Sequence, residues 1–128
     1  MVNRIAGDMR AVIEQSEWVA IATTGPDGPH LAATWGDYVR ALGVDDDQIL
    51  IPAGGLKTTE ANIASDARVE LLFASRQVSR ASGAGQGCLV RGRAELQRSG
   101  PLMDRVKSHF PWARAVLVVH VHEASTQL

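Results

Sequence analysis

Apolar and polar positions along this chain change period several times, and each change marks an element. Ile5, Met9, Val12 and Ile13 recur at helical spacing, which predicts an amphipathic helix over residues 3–15. Trp18-Val19-Ala20-Ile21-Ala22-Thr23 then reads as a strand, stopped by Gly25-Pro26-Asp27-Gly28, whose Asp-Gly step is a hairpin signal. A return strand is expected from Pro29 to about Val39, followed by an acidic turn at 43–47 and a buried strand over 48–52. A short helix follows over 59–65, with Ala61 and Ala64 one turn apart, and then a strand over 68–74. Residues 75–87 are polar and glycine-rich, so they form either a loop or an unusually long hairpin end. Their Gly83-x-Gly85-x-Gly87 spacing reads as flexibility more readily than as nucleotide binding. Residues 88–96 resume a strand with rough alternation. Pro101 opens a helix at a favoured position, with Leu102, Val106 and Phe110 on one face, and Pro111-Trp112 ends it. The last strand, over 115–122, is the most β-like of all.

About six strands joined mostly by hairpins, with short helices inserted and no βαβ rhythm, predict a mainly β, antiparallel barrel or sandwich. Closing the sheet would remove edges that strands this apolar would otherwise expose. The chain has 128 residues, 45% of them hydrophobic, which suits a single domain over 1–128 with a core that a partner subunit would help to stabilise. A net charge of -1 gives no electrostatic reason to expect nucleic acid or an anionic membrane surface. No stretch approaches the ~20 apolar residues of a membrane-spanning helix. The charged N-terminal residues Arg4, Asp8 and Arg10 do not resemble a signal-peptide core, so a soluble, cytoplasmic protein is expected. The lone Cys88 is consistent with that reducing compartment and reads as a small strand residue, not a nucleophile.

Candidate chemistry concentrates in Pro52-Ala53-Gly54-Gly55-Leu56-Lys57-Thr58-Thr59-Glu60-Ala61-Asn62. Two glycines at a strand-to-helix turn clear space for a flat ligand, while the first helical turn offers unpaired N–H groups to a phosphate. Lys57, Thr58 and Thr59 would complete such a cradle. The alternative is that a threonine caps the helix and the glycines only turn the chain. In Ala32-Ala33-Thr34-Trp35-Gly36-Asp37-Tyr38, the small residues leave room beside Trp35 for a stacked ring, although composition alone favours a core position for it. Trp112 lies at a corner, where it either plugs a barrel end or meets a ligand or partner. His120 and His122 share one strand face, but no third ligand has matching spacing, so no metal site is expected. No Ser-His-Asp arrangement or carboxylate pair can be argued, and no arginine cluster fit to grip a substrate phosphate is legible.

Taken together, Val19-Ala20-Ile21-Ala22-Thr23, Asp27-Gly28-Pro29-His30-Leu31, Thr34-Trp35, the Pro52 to Asn62 stretch, Asp66-x-Arg68-Val69, Gly87-x-Leu89-x-Arg91-Gly92, Gly100-Pro101, Trp112-Ala113-Arg114-Ala115 and Thr126-Gln127-Leu128 form a familiar set. They resemble the small FMN-binding proteins of the Desulfovibrio type, in the pyridoxamine-phosphate-oxidase-like, FMN-binding split β-barrel superfamily. The resemblance runs from about Trp18 to Leu128. It implies a six-stranded antiparallel split β-barrel, a homodimer, and one non-covalent FMN per subunit near the dimer interface. It also implies that Ala33, Thr34 and Trp35 line the flavin and that Pro52, Ala53, Gly54 and Gly55 offer it backbone groups. Thr58 and Thr59 fall at the phosphate-binding positions, with Lys57 beside them. Trp112 and the C-terminal Leu128 approach the flavin, Leu128 from the partner subunit. The family pattern carries Asn where Ala33 stands and places its lysine one residue later than Lys57. With no acid, base or substrate-recognition cluster legible beside the proposed ring, the expected function is electron transfer or a general flavin redox role, with a redox partner protein. The alternatives are an NAD(P)H-dependent flavin reductase or oxidase, the same barrel holding another planar cofactor (a deazaflavin or haem), or a cofactor-free dimer that binds partners.

Overall fold

The computed structural model describes residues 4, 5 and 7–128. Helix α1 (Asp8–Gln15) precedes strands β1 (Trp18–Gly25) and β2 (Gly28–Trp35), helix α2 (Gly36–Leu42) and strand β3 (Gln48–Ala53). Helix α3 (Lys57–Ser65) leads into the long strands β4 (Arg68–Arg80) and β5 (Gly83–Gln97), followed by helix α4 (Pro101–His109) and strand β6 (Ala115–Gln127). The six strands form one antiparallel sheet in the order β2-β1-β4-β5-β6-β3. The sheet curls around its own core into a half-barrel, the expected split β-barrel. It does not close: β2 and β3 stand at its two ends, and neither pairs with the other.

Alternation decides which side chains enter the barrel. Val19 and Ile21 of β1, Val69, Leu71 and Phe73 of β4, Val90 of β5 and Val119 of β6 all point into one buried cluster with Ile5, Val12 and Ile13. A second cluster lies outside the barrel. There Leu50 of β3 and Val116 and Val118 of β6 meet Leu42 of α2 and Met103 and Val106 of α4. β3 and the first half of β6 are therefore apolar on both faces, which explains their nearly continuous hydrophobic runs.

Several predicted elements shift. Of the helix expected over 3–15, residues 3 and 6 lie outside the described residues, and the described helix begins only at Asp8. Ile5 is buried outside the helix, its N–H donating to the Asp46 carbonyl at 2.6 Å. The return strand expected to reach Val39 stops at Trp35, and α2 takes over. Gly36 is the cause: a Cβ there would sit 1.8 Å from the Ser16 carbonyl oxygen, and its N–H bonds to Glu17 O at 2.8 Å. Val39 and Leu42, three residues apart, then bury on one helical face before Gly43 ends the turn at φ 80°. Residues 75–87 are the long hairpin end of the two open readings, with an irregularity between Ser75 and Ser79. The glycine series 83–87 is strand backbone in that hairpin. The α3 helix starts two residues earlier than predicted, and β6 runs five residues further, to Gln127.

Candidate functional site

β3 ends at Ala53, and the chain reverses through Gly54-Gly55 into α3. Leu56 caps the helix in a left-handed conformation, φ 54°, an unusual backbone for a leucine. No side chain caps α3, so the reading of Thr58 or Thr59 as a helix cap fails. The first backbone hydrogen bond of this end runs from Glu60 N to Leu56 O, at 2.9 Å. Upstream of it, the N–H groups of Gly55, Leu56, Lys57, Thr58 and Thr59 find no acceptor among the described residues. The Thr59 side chain is fully buried, and its hydroxyl has no hydrogen-bond partner among the described residues. Buried polar groups are rarely left so. Lys57 and Thr58 of the same turn are exposed. One turn along, Asn62 is buried and donates to Thr23 Oγ1 at 3.1 Å, fastening α3 to β1.

Trp112 lies against the glycine turn: a Cβ on Gly54 would come within 2.9 Å of its indole ring. Its other side joins an aromatic group with Tyr38 and Phe110, at centroid distances of 5.3 and 5.5 Å. Tyr38 belongs to α2, so this helix and the corner at Trp112 share one aromatic group. Pro52 and Ala53 are buried as β3 pairs with β6, in register with Val116 and Ala115.

The other expected residues fall elsewhere on the sheet. Thr34 points inward, while Ala33 and Trp35 point outward from β2. Trp35 is about half exposed, so the expected core position for it is wrong. Its cross-strand partner is Trp18, also exposed on the outer face. Leu128 is exposed at the far end of β6 from the glycine turn, beside Ser75, Arg76 and Gln86 of the long hairpin. Within one chain the structure thus brings together residues 52–59 and Trp112, and does not bring Leu128 to them.

Two residues absent from the sequence-derived site belong to this turn. Arg114 donates from its backbone N to Ala53 O at 2.8 Å, and from its guanidinium to the carbonyls of Gly54 and of Gly55, the latter at 2.7 Å. The same guanidinium donates to Glu60 Oε2 at 2.5 Å. Glu60 is only 8% exposed. The only available signal was that both residues sit inside motifs already singled out. Their meeting across 54 residues of sequence was not readable.

A further group forms on the outer face of β4 and β5. Strand register sets Glu70 opposite Arg91 and Arg68 opposite Arg93, which gathers three arginines in a hollow of about 620 Å³. The cluster that the sequence did not show therefore exists, but it is largely neutralised. Arg91 bonds to Glu70 at 2.6 Å and to Glu123 at 3.1 Å, and both hydrogen bonds raise its pKa. Arg68 is paired with Asp66 at 2.6 Å and, through side-chain and backbone hydrogen bonds, holds that carboxyl down to about 2. His120 faces Glu95 at 3.6 Å. Cys88 is buried, and burial pushes its thiol up to about 11, so it stays protonated and unreactive near neutral pH. Among the described residues no helix is long and apolar enough to cross a membrane.

Comparison with known proteins places this arrangement. The family described as pyridoxamine 5'-phosphate oxidase matches residues 5–128. The chain belongs to that family. The match takes in α1 as well as the stretch from Trp18 onward. A protein of Nitratidesulfovibrio vulgaris named "FMN-binding protein" is 42% identical over 124 residues, covering 97% of this chain and 99% of that one. Among solved structures, HupZ of Group A Streptococcus superposes with a TM-score of 0.78 at 20% identity, over 96% and 99% of the two chains. A putative pyridoxamine 5'-phosphate oxidase of Lactobacillus delbrueckii does so with 0.70 at 16%, over 97% and 95%. At those identities the structural likeness speaks for the fold alone.

Proposed function

We propose that this family member is an FMN-binding flavoprotein whose phosphate cradle is the first turn of α3, and that it works in electron transfer. The observation that carries the reading is the buried, unpartnered Thr59 hydroxyl beside five consecutive free N–H groups. Such an array gains from an anion with several acceptor oxygens, and the helix dipole adds to it. Lys57 supplies the nearby ammonium. The residues therefore fit a phosphate, and the glycine turn against Trp112 fits a flat ring. The naming of the 42% identical relative as an FMN-binding protein points the same way. When bound, FMN supplies the redox chemistry. The chain's own residues bind the phosphate at Thr58 and Thr59, meet the ring with Trp112 and the backbone of 52–55, and flank it from β2 with Ala33, Thr34 and Trp35.

Half-exposed Trp112, which lies outside the proposed self-association face, would leave the ring edge accessible to a redox partner protein, which favours electron transfer over turnover in a sealed pocket. The neutralised arginines of β4 and β5 favour it too, because most of their charge is already paired. We further propose that the active form is a homodimer. The outer face of β2, β1 and β4 exposes Leu31, Trp35, Trp18 and Leu72 around small alanines, and both charge signs border it at Arg91, Glu70 and Glu123. A mixed-sign rim is self-complementary across a two-fold axis, so a second copy is its natural occupant. Leu128, exposed beside the end of the β4–β5 hairpin, is supplied across the two-fold to the partner's cofactor. The deciding experiment compares FMN with riboflavin by fluorescence titration. FMN is expected to bind far more tightly, and equal affinities would remove the cradle. Steady NAD(P)H oxidation by the purified protein would instead favour a reductase.

A further inference from the structure

Arg114 does more than join two strands. The β3–β6 pairing is already made by backbone: Ala53 is in register with Ala115, and Arg114 N bonds to Ala53 O. The guanidinium is directed past the sheet at the turn, where it takes the carbonyls of Gly54 and Gly55 and one oxygen of Glu60. Glu60 uses only Oε2 for this; its Oε1 accepts no hydrogen bond, with Arg98 at 3.6 Å. A pair built for affinity would use the two-pronged fork of guanidinium on carboxylate. Here the donors are shared between one carboxylate oxygen and two consecutive peptide carbonyls. Glu60 is 8% exposed against 39% for Arg114, so desolvation of the carboxylate offsets part of the pair's attraction.

The peptide geometry gives the arrangement its use. In a trans peptide the N–H points opposite to the C=O, and none of the described peptide bonds is cis. Drawing the carbonyls of Gly54 and Gly55 towards Arg114 turns the N–H groups of Gly55 and Leu56 to the opposite side. Those are the first two of the five free donors. Glu60, one turn into α3, holds the guanidinium in place and compensates its charge.

We propose that Arg114 and Glu60 are positioning residues of the flavin site: together they fix the Gly54–Gly55 peptides so that the turn presents N–H groups, not carbonyls, to the cofactor. The proposal rests on the FMN reading above. Glu60 also stands between two guanidiniums, Arg114 at Oε2 and Arg98 3.6 Å from Oε1, and offsets part of the positive charge behind the turn. Loss of Glu60 leaves that charge uncompensated, which favours the reduced, more negative flavin. Loss of the fork lets the peptides rotate.

The test uses the full-length protein and two variants, Arg114→Lys and Glu60→Gln. FMN affinity, the midpoint potential of the bound flavin, and the melting temperature of the FMN-free protein are measured for each. Lysine keeps the charge but cannot reach three acceptors, so Arg114→Lys is expected to weaken FMN by about tenfold, the scale of one lost hydrogen bond to a charged group. Glu60→Gln is expected to shift the midpoint potential upward. A purely structural strut would lower the melting temperature of the FMN-free protein and leave the potential where it was. If Arg114→Lys binds FMN as the parent does, or if Glu60→Gln leaves the potential unchanged, the proposal is overturned while the FMN reading stands. If Arg114→Lys does not fold, the Glu60→Gln potential decides alone. A parent protein that binds no FMN overturns the reading itself.

Discussion

The outer face of this sheet is finished in two different ways. Over β3 and the first half of β6, Leu50, Val116 and Val118 are at most 2% exposed, because α2 and α4 cover them with Leu42, Met103 and Val106. Over β2, β1 and β4 the same side of the same sheet carries Leu31 at 72%, Trp18 at 55%, Trp35 at 54% and Leu72 at 41% exposure, with none of the chain's helices burying them. Apolar side chains scattered singly on a surface need no explanation, but a run across three neighbouring strands does. The chain covers one half of its outer surface itself and leaves the other half bare.

The comparison breaks most visibly under truncation. Leu50→Ala is expected to cost about 2–5 kcal/mol, the range for emptying a well-packed site, whereas Leu31→Ala is expected to stay within about 0.5 kcal/mol when the protein is held monomeric. Urea denaturation at low protein concentration separates them, and equal costs would mean that the two halves do not differ in kind. The converse holds for association. Leu31→Asp should convert a dimer to a monomer by light scattering while the far-UV spectrum stays native. A parent protein that is already monomeric at micromolar concentration with FMN bound would sink the self-association of this face.

Smaller effects sharpen the contrast at the cofactor. Thr59→Ala is expected to weaken FMN by about 1–2 kcal/mol, one hydrogen bond to a charged group, and to leave riboflavin affinity nearly unchanged. Bound flavin emission should be quenched, and Trp35→Ala should lengthen its lifetime more than Trp18→Ala, although the two residues are partners in the register of β1 and β2. An unchanged lifetime in the Trp35 variant would show that the bare face and the flavin are separate. The weakest effect is a matter of pH. The Cys88 thiol is held at about 11 in the folded chain against a reference of 9.0, so between those values the unfolded chain loses its proton first. Stability from this group is intact below about 9 and declines as pH rises towards 11. The thiol should resist alkylation at pH 8 until the protein is unfolded by urea.

Local pattern carried much of the architecture. The alternation of β1, the Asp27-Gly28 turn, the double-sided apolar run of 48–52 and the Pro101 helix start were all legible, because each depends on neighbours in the chain. So was the turn into a helix within the 52–62 stretch, since a glycine turn and a helix start are adjacent by covalent connection. Helix α2 was missed because Gly36 is there for a contact with Ser16, twenty residues away in sequence. Trp35 was misplaced because which face of β2 is covered depends on where α2 and α4 go. The arginine cluster appeared only with the register of β4 on β5, and the Arg114–Glu60 contact only once β6 had closed against β3. Sequence alone determined most of the strands, the turns and the glycine turn at the start of α3, for which short-range geometry suffices. Which carbonyls are held back, which face is bare and which charges cancel were decided by tertiary structure, because each depends on two distant segments arriving at one place.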